Sequence, residues 1–222
     1  MQFYLDSSDI DQIRYFHELG IIEGVTTNPT LIAKSGRKIF EVVREICTIV
    51  YSSVSVEVTA TDADRMVQEG KKLAAIGQQV VVKLPMTWAG IKACKILSED
   101  GIKVNMTLCF TPTQALLAAR VGAHYVSPFV GRLDDIGHDG LKILHNIKAI
   151  FDNYDNIKTK ILAASVRNTH HVIEAGRIGV DIATVPPNVL NQLLNHPMTD
   201  RGLNQFLKDW ASAGQSILEE ES

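Results

Sequence analysis

Along the 222 residues, eight short apolar runs alternate with amphipathic stretches at intervals of roughly 20 to 30 residues, and this alternation constrains the fold more than any other feature. The runs cover residues 3–5, 21–26, 54–58, 79–85, 102–107, 123–128, 160–164 and 179–184. Helical patterns follow each, opened by capping residues at Ser7 to Asp9, Thr59 to Thr61, Thr87 and Thr111-Pro112, and closed by glycine at Gly101 and Gly122. The second helical pattern, Leu31 to Ile49, breaks once at Ser35-Gly36. Residues 131–139 are rich in acids and glycines and read as a loop, which delays the sixth helix to about residues 140–151. Residues 169–175 carry the seventh helix, Pro186-Pro187 opens a short one to Leu194, and a last amphipathic helix is expected over 203–218.

Strands regularly separated by helices predict a parallel sheet closed on itself, a (β/α)8 or TIM barrel forming one domain over residues 1–222 with an additional C-terminal helix. An open, doubly wound sheet is the alternative. No strand is followed by GxGxxG or GxxxxGK[ST], the turns that would cradle a dinucleotide or nucleoside triphosphate. A net charge of -3 offers no excess of positive charge to grip a phosphate backbone, so nucleic acid is not an expected partner. Nor is a membrane: no apolar run approaches the length of a span, and Met1 to Asp6 lacks the basic then apolar pattern of a secretory signal. Cys47, Cys94 and Cys109 show no CxxC spacing and read as reduced thiols, which suits the cytoplasm.

The fourth run, Val80-Val81-Val82-Lys83-Leu84-Pro85, holds the first chemical signal. Three successive valines mark a strand buried on both faces, and a lysine among them faces an interior where an ammonium is costly. That cost favours the neutral amine, the form that condenses with a ketone or aldehyde to give a Schiff base. Pro85 cannot donate to a ladder, so the strand ends near Lys83 and the amine lies at its carboxyl end. The plain alternative is a lysine that snorkels to solvent.

In a barrel of this kind the active site gathers at the carboxyl ends of the strands. Polar residues that a buried strand would avoid stand there at Asp6, at Thr26, Thr27 and Asn28, at Glu57, at Asn105 and Thr107, at Ser127, and at Ser165 and Arg167. Several have structural readings too: Asp6 and Ser165 as helix caps, Asn28 as a turn residue before Pro29, and Arg132 as an ion-pair partner of Asp134 or Asp135. Glu57, flanked by Val56 and Val58, must ionise beside a partner or hold its proton, and Lys83 on the next strand is the obvious partner.

The segments Tyr4-Leu5-Asp6, Gly24-Val25-Thr26-Thr27-Asn28-Pro29-Thr30, Val82-Lys83-Leu84-Pro85 and Ser127-Pro128-Phe129-Val130-Gly131-Arg132 resemble the transaldolases. The likeness is to the small bacterial and archaeal type that shares its fold with fructose 6-phosphate aldolase. It implies that Lys83 forms the Schiff base, that Asp6 is the acid/base acting on the sugar C4 hydroxyl, and that Glu57 and Thr107 hold the catalytic water. Asn28, with Thr27 beside it, Asn105 and Ser127 would contact the dihydroxyacetone unit, and Arg132, Ser165 and Arg167 would clamp the distal phosphate. Two guanidiniums and a hydroxyl on adjacent loops also suit a phosphate on charge alone. Transaldolases carry glutamate and phenylalanine where the aldolase relatives carry glutamine and tyrosine, and this chain has Glu57 and Phe129. The resemblance therefore implies transfer between sugar phosphates, with free aldolase activity as the nearest alternative. An idle phosphate-binding barrel should have lost Asp6, Glu57 or Lys83, and all three are present.

Such chemistry requires no cofactor or metal, because the protonated imine is itself the electron sink. His170 and His171 are helical neighbours that point about 100° apart, and His138 with Asp134, Asp135 and Asp139 reads as solvated charge. Leu203, Phe206, Leu207, Trp210 and Ile217 form an apolar stripe at helical spacing that either packs on the barrel or meets another subunit. The resemblance implies a homo-oligomer, a decamer of two five-membered rings.

Overall fold

The structure, a computed structural model, describes residues 1–218 and closes eight parallel strands into a barrel. The strands are β1 (Gln2–Asp6), β2 (Gly24–Thr26), β3 (Ser53–Glu57), β4 (Val80–Pro85), β5 (Val104–Cys109), β6 (Tyr125–Pro128), β7 (Lys160–Ala163) and β8 (Ile182–Val185). Each pairs with its neighbour in sequence, and β8 returns to β1. Around them run α1 (Ile10–Glu18), α2 (Pro29–Lys34), α3 (Ile39–Ile49), α4 (Ala63–Ala74), α5 (Trp88–Glu99), α6 (Pro112–Arg120), α7 (Val130–Asp134), α8 (Leu141–Phe151), α9 (Thr169–Ile178), α10 (Pro187–Leu194) and α11 (Pro197–Ala213). This is the expected (β/α)8 barrel with a C-terminal helix. Among the described residues no helix is long and apolar enough to cross a membrane.

Strand alternation divides the apolar residues between two cores. Val80, Val82 and Leu84 of β4 belong to the large layer between barrel and helices, whereas Val81 joins Tyr4, Tyr125, Leu162 and Ile182 inside the barrel. That inner cluster is a plug. Its two tyrosine hydroxyls meet at 3.1 Å, and the Tyr4 ring lies so close to Gly24 that an added Cβ would stand 2.7 Å from it. Two residues further along the same strands, on the same inward face, come Asp6, Lys83, Ser127 and Thr184. The fold thus sets a polar layer directly on an apolar floor, at the carboxyl ends of the strands.

Several expected boundaries move, each for a local reason. The stretch read as a loop over 131–139 begins as α7, because Val130 and Leu133 are buried and the Val130 and Gly131 amides donate to Ala164 and Ser165 carbonyls. Asp62, not Thr59 to Thr61, caps α4 through a bond from the Arg65 amide. The last helix starts six residues earlier than position 203, where Pro197 takes the first turn and the His196 side chain accepts from Met198, and it stops before the left-handed Gly214. Ile217 lies beyond it, and residues 219–222 of the sequence fall outside the described part. α11 buries none of its residues, so its stripe does not pack on the barrel: Leu203, Phe206, Leu207 and Trp210 are 44% to 72% exposed.

Candidate active site

Barrel register sets Glu57 beside Lys83, Lys83 beside Asn105, and Asp6 beside Thr26. Lys83 does not snorkel. Its side chain is 6% exposed, and Nζ donates to the Thr27 carbonyl at 2.8 Å and faces Glu57 Oε2 at 3.1 Å. Glu57 therefore meets its partner at the position the sequence implied. Thr27 contributes its backbone oxygen, since its own hydroxyl donates away to the Ser55 carbonyl at 3.0 Å.

Asp6 caps no helix; Asp9 does that for α1. Its Oδ1 accepts from Thr26 Oγ1 at 2.8 Å, and Thr26 Oγ1 lies 2.6 Å from Thr184 Oγ1. The single Thr26 proton is used on Asp6, so Thr184 donates to Thr26 and the hydroxyls form a short chain ending on the carboxylate. Burial raises the Asp6 pKa above the usual carboxylate range; the Lys83 charge and the Thr26 bond oppose the rise, and Glu57 adds to it.

Beneath the amine, Ser127 donates to Asn105 Oδ1 at 2.6 Å and Asn105 Nδ2 donates to Ser55 at 3.3 Å, which fixes the amide's orientation. Thr107 Oγ1 is buried at the cavity wall with no hydrogen-bond partner among the described residues. Next to it, inside β5, Leu108 has a φ of 58° where the register with β6 shifts. Asn28 serves two surfaces: Oδ1 caps α2 by accepting from Leu31 at 3.0 Å, and the residue borders the cavity.

These groups open onto a cavity of about 420 Å³. Asp6, Asn28, Glu57, Lys83, Thr107, Ser127, Phe129, Arg132, Ser165 and Arg167 all line it; Asn105 and Thr27 do not, and Thr27 borders a neighbouring pocket instead. The far side is cationic. Arg132, on α7, stacks its guanidinium 5.1 Å above the Phe129 ring, and Phe129 meets Phe110 edge-on at 5.8 Å. Arg167, on the loop after β7, pairs with Asp135 at 2.9 Å. The expected pairing of Arg132 with Asp134 or Asp135 is not made: Asp135 goes to Arg167, and Asp134 to His171 at 3.1 Å. Ser165 is no cap either, because Asn168 caps α9. It has a φ of 57°, a strained conformation that costs a non-glycine residue about 1–3 kcal/mol. Gly131 makes this possible: a Cβ there would stand 2.3 Å from the Ser165 carbonyl and 2.5 Å from Arg167 Cγ, so only glycine lets the two loops touch.

The chain matches the family described as Transaldolase/Fructose-6-phosphate aldolase over residues 3–220. It belongs to that family. It is 58% identical over 218 residues to a protein of Caulobacter vibrioides named "Probable transaldolase", covering 98% of this chain and 100% of that one. Proteins of the same name from Parvibaculum lavamentivorans and Ruegeria sp. are 54% and 52% identical over the same length, again covering 98% of this chain and 100% of theirs.

Two contributors to the site in this transaldolase-family barrel escape a reading of the sequence. Thr184 looks like an ordinary strand residue in Ile-Ala-Thr-Val; the signal was its place just before Pro186, at a carboxyl end. The acids of residues 134–139 are exposed as expected, but Asp134 also accepts the Gly140 amide and Asp139 accepts the amides of Leu141 and Lys142 at the start of α8. The thiols take no part: burial pushes Cys47 and Cys94 up to about 11 and Cys109 up to about 12.

Proposed function

We propose that this protein is a transaldolase. It transfers a dihydroxyacetone unit from a ketose phosphate, sedoheptulose 7-phosphate or fructose 6-phosphate, to an aldose phosphate, glyceraldehyde 3-phosphate or erythrose 4-phosphate. The observation that carries this reading is the Lys83 amine, buried at a barrel strand end with Glu57 at 3.1 Å, in a cavity whose far wall holds Arg132 and Arg167.

Lys83, freed of its proton, attacks the ketose C2 carbonyl, and loss of water gives the protonated imine. Asp6 takes the proton of the C4 hydroxyl as the C3–C4 bond breaks, and the bonding electrons move into the imine to leave an enamine on Lys83. The aldose departs, an acceptor aldehyde enters, and the enamine carbon attacks it while Asp6 returns the proton to the new hydroxyl. Water then hydrolyses the imine and restores the amine. The raised pKa of Asp6, set by burial, suits a group that must both take and give a proton. Glu57, in reach of Nζ, and the free Thr107 hydroxyl hold the water that shuttles protons to and from the imine. Asn28, Asn105 and Ser127 contact the dihydroxyacetone hydroxyls, and Arg132, Ser165 and Arg167 take the phosphate.

Borohydride reduction in the presence of fructose 6-phosphate, followed by peptide mass spectrometry, should put the adduct on Lys83. An adduct on another lysine, or none, sinks the mechanism. Phe129 presents a hydrocarbon edge rather than a phenol, so a ketose donor should serve far better than free dihydroxyacetone; comparable use of the two would make free aldolase the better name. The reading puts the enzyme in the cytoplasm and in the pentose phosphate pathway. It also accounts for α11, whose uncovered stripe is a subunit contact of a homo-oligomer, a decamer of two rings, in which Trp210 is covered by a neighbouring copy. Sedimentation of the full chain as a monomer would end that part of the reading.

A further inference from the structure

His171 lies outside the cavity and takes no part in the chemistry above, yet its side chain is buried. It stands in the first turn of α9, where the Asn168 cap accepts its backbone amide at 2.9 Å. Its ring makes two bonds. Nδ1 accepts from the Arg167 backbone amide at 3.3 Å, and Nε2 faces Asp134 Oδ2 at 3.1 Å. One tautomer satisfies both: with its proton on Nε2, the neutral imidazole donates to Asp134 and leaves Nδ1 free to accept. Burial lowers the His171 pKa, against the pull of Asp134, and so favours this neutral form.

The two partners sit on the two segments that carry the guanidiniums. Asp134 is the last residue of α7, two positions after Arg132, and its other oxygen accepts the Gly140 amide at 2.9 Å. Arg167 follows the strained Ser165 on the loop out of β7. At their near ends these segments are already joined by the amides of Val130 and Gly131 on the carbonyls of Ala164 and Ser165. Their far ends are joined through the imidazole. The Arg167 side chain is 51% exposed and its partner Asp135 is 56% exposed, so that surface pair holds it weakly. Its backbone is what fixes where the guanidinium starts.

We infer that His171, held by Asp134, is a positioning residue that sets the spacing of Arg132 and Arg167 and thereby the enzyme's preference for phosphorylated over unphosphorylated aldehydes. The inference rests on the reading of those arginines as the phosphate clamp. It concerns selectivity only, because Lys83, Glu57 and Asp6 are anchored on β4, β3 and β1, away from this bridge.

The test compares kcat/KM for glyceraldehyde 3-phosphate and for glyceraldehyde, each as acceptor at saturating sedoheptulose 7-phosphate, which releases erythrose 4-phosphate and gives fructose 6-phosphate or fructose as the new ketose. In a covalent, two-step transfer this quantity reports only the half-reaction that the acceptor enters. His171→Ala should lower the ratio of the two values about tenfold, through KM of the phosphorylated acceptor, with kcat and the unphosphorylated reaction changed less than about twofold. His171→Asn, whose Oδ1 can stand where Nδ1 accepts, should recover at least about half of that loss on a logarithmic scale. Equal loss with both acceptors, no change in the ratio, or no recovery by asparagine overturns the inference; the melting temperature of each variant identifies one that has merely unfolded, and Asp134→Asn, which keeps the side chain's shape, then carries the same comparison. Arg167→Ala separates the two failures. If it collapses the ratio and His171→Ala does not, the positioning role falls and the clamp stands; if it leaves the ratio intact, both fall.

Discussion

The lysine end and the arginine end of the cavity are built on different principles. At the lysine end the working groups are side chains of the strands themselves, nearly buried, each held by a partner that is also part of the barrel: Lys83 by Glu57 and Thr27, Asp6 by Thr26, Asn105 by Ser127. At the arginine end they stand on a five-residue helix and a loop, and the Arg167 pair with Asp135 is half exposed. Interactions taken out of water are strong and hard to replace, whereas exposed ion pairs are worth about 0–1 kcal/mol. On the proposed reading, the difference teaches that bond-making geometry is fixed with the barrel, while the grip on the substrate's far end is adjustable. Substitutions should separate accordingly.

The largest effect belongs to Lys83→Met, which removes the proposed nucleophile: transfer should fall to the assay's floor, with no borohydride adduct. Residual activity with an adduct on another lysine would take the chemistry out of this end of the cavity. Next is Glu57→Gln, which keeps shape and hydrogen bonding but not the base, so kcat should drop about 10²- to 10⁴-fold, the usual worth of a positioned acid/base, with little change in KM. A rise in KM alone would mean that Glu57 binds rather than transfers protons, and the contrast between the ends would weaken.

The two ends also differ in how legible they were. A lysine after three valines, or a glutamate between two, breaks an apolar pattern, and the cost of burying charge makes the break conspicuous. The same contrast made the barrel readable, since buried strands alternate with helices whose polar faces are plain. At the arginine end nothing breaks a pattern. Aspartates and glycines over 131–139 resemble any surface loop, and only the contact between that segment and the loop after β7 turns part of it into α7. Likewise no local signal shows that Gly131 is there to admit the Ser165 carbonyl, or that Asp135 belongs with Arg167, 32 residues away. α11 was legible at both ends, in Pro197 and Gly214, and was misplaced because the apolar stripe rather than the punctuation set its bounds.

A smaller effect, on stability, comes from Asp6. Its folded pKa is raised by burial, so the folded state binds the proton more tightly than the unfolded chain does. The stabilisation that this proton supplies is complete below the ordinary carboxylate value of about 3.9 and is lost as pH rises through the raised folded value. Keeping Asp6 ionised is therefore a burden on the fold. Asp6→Asn, which can still accept from Thr26, should be inactive in transfer yet melt higher at pH 7, and its advantage should shrink toward pH 4. Each kcal/mol relieved raises Tm by about 2–4 °C in a chain of this size. A lower Tm at pH 7 would mean that Lys83 and Thr26 outweigh burial, making the lysine end a net source of stability.

The smallest effect is expected where the two ends differ most, at Asp135. Its carboxylate lies 2.9 Å from Arg167 Nη2, but both side chains are more than half in solvent, so the pair is screened and contributes little to the fold. Asp135→Ala should therefore leave Tm unchanged within about 2 °C. Its effect on function has a definite sign. On the proposed reading of Arg167 as part of the phosphate clamp, the aspartate competes with the substrate's phosphate for the same guanidinium, so removing it should lower KM for glyceraldehyde 3-phosphate, by no more than about threefold. The gain should fade as salt rises, because at 1 M the screening length is only about 3 Å and exposed charges hardly sense one another. A change approaching that of Glu57→Gln, or one that persists in high salt, would show the arginine end to be as rigidly built as the lysine end. A rise in KM would give Asp135 the opposite role, that of aiming Arg167 at the phosphate, and would make the exposed ion pair part of the binding geometry.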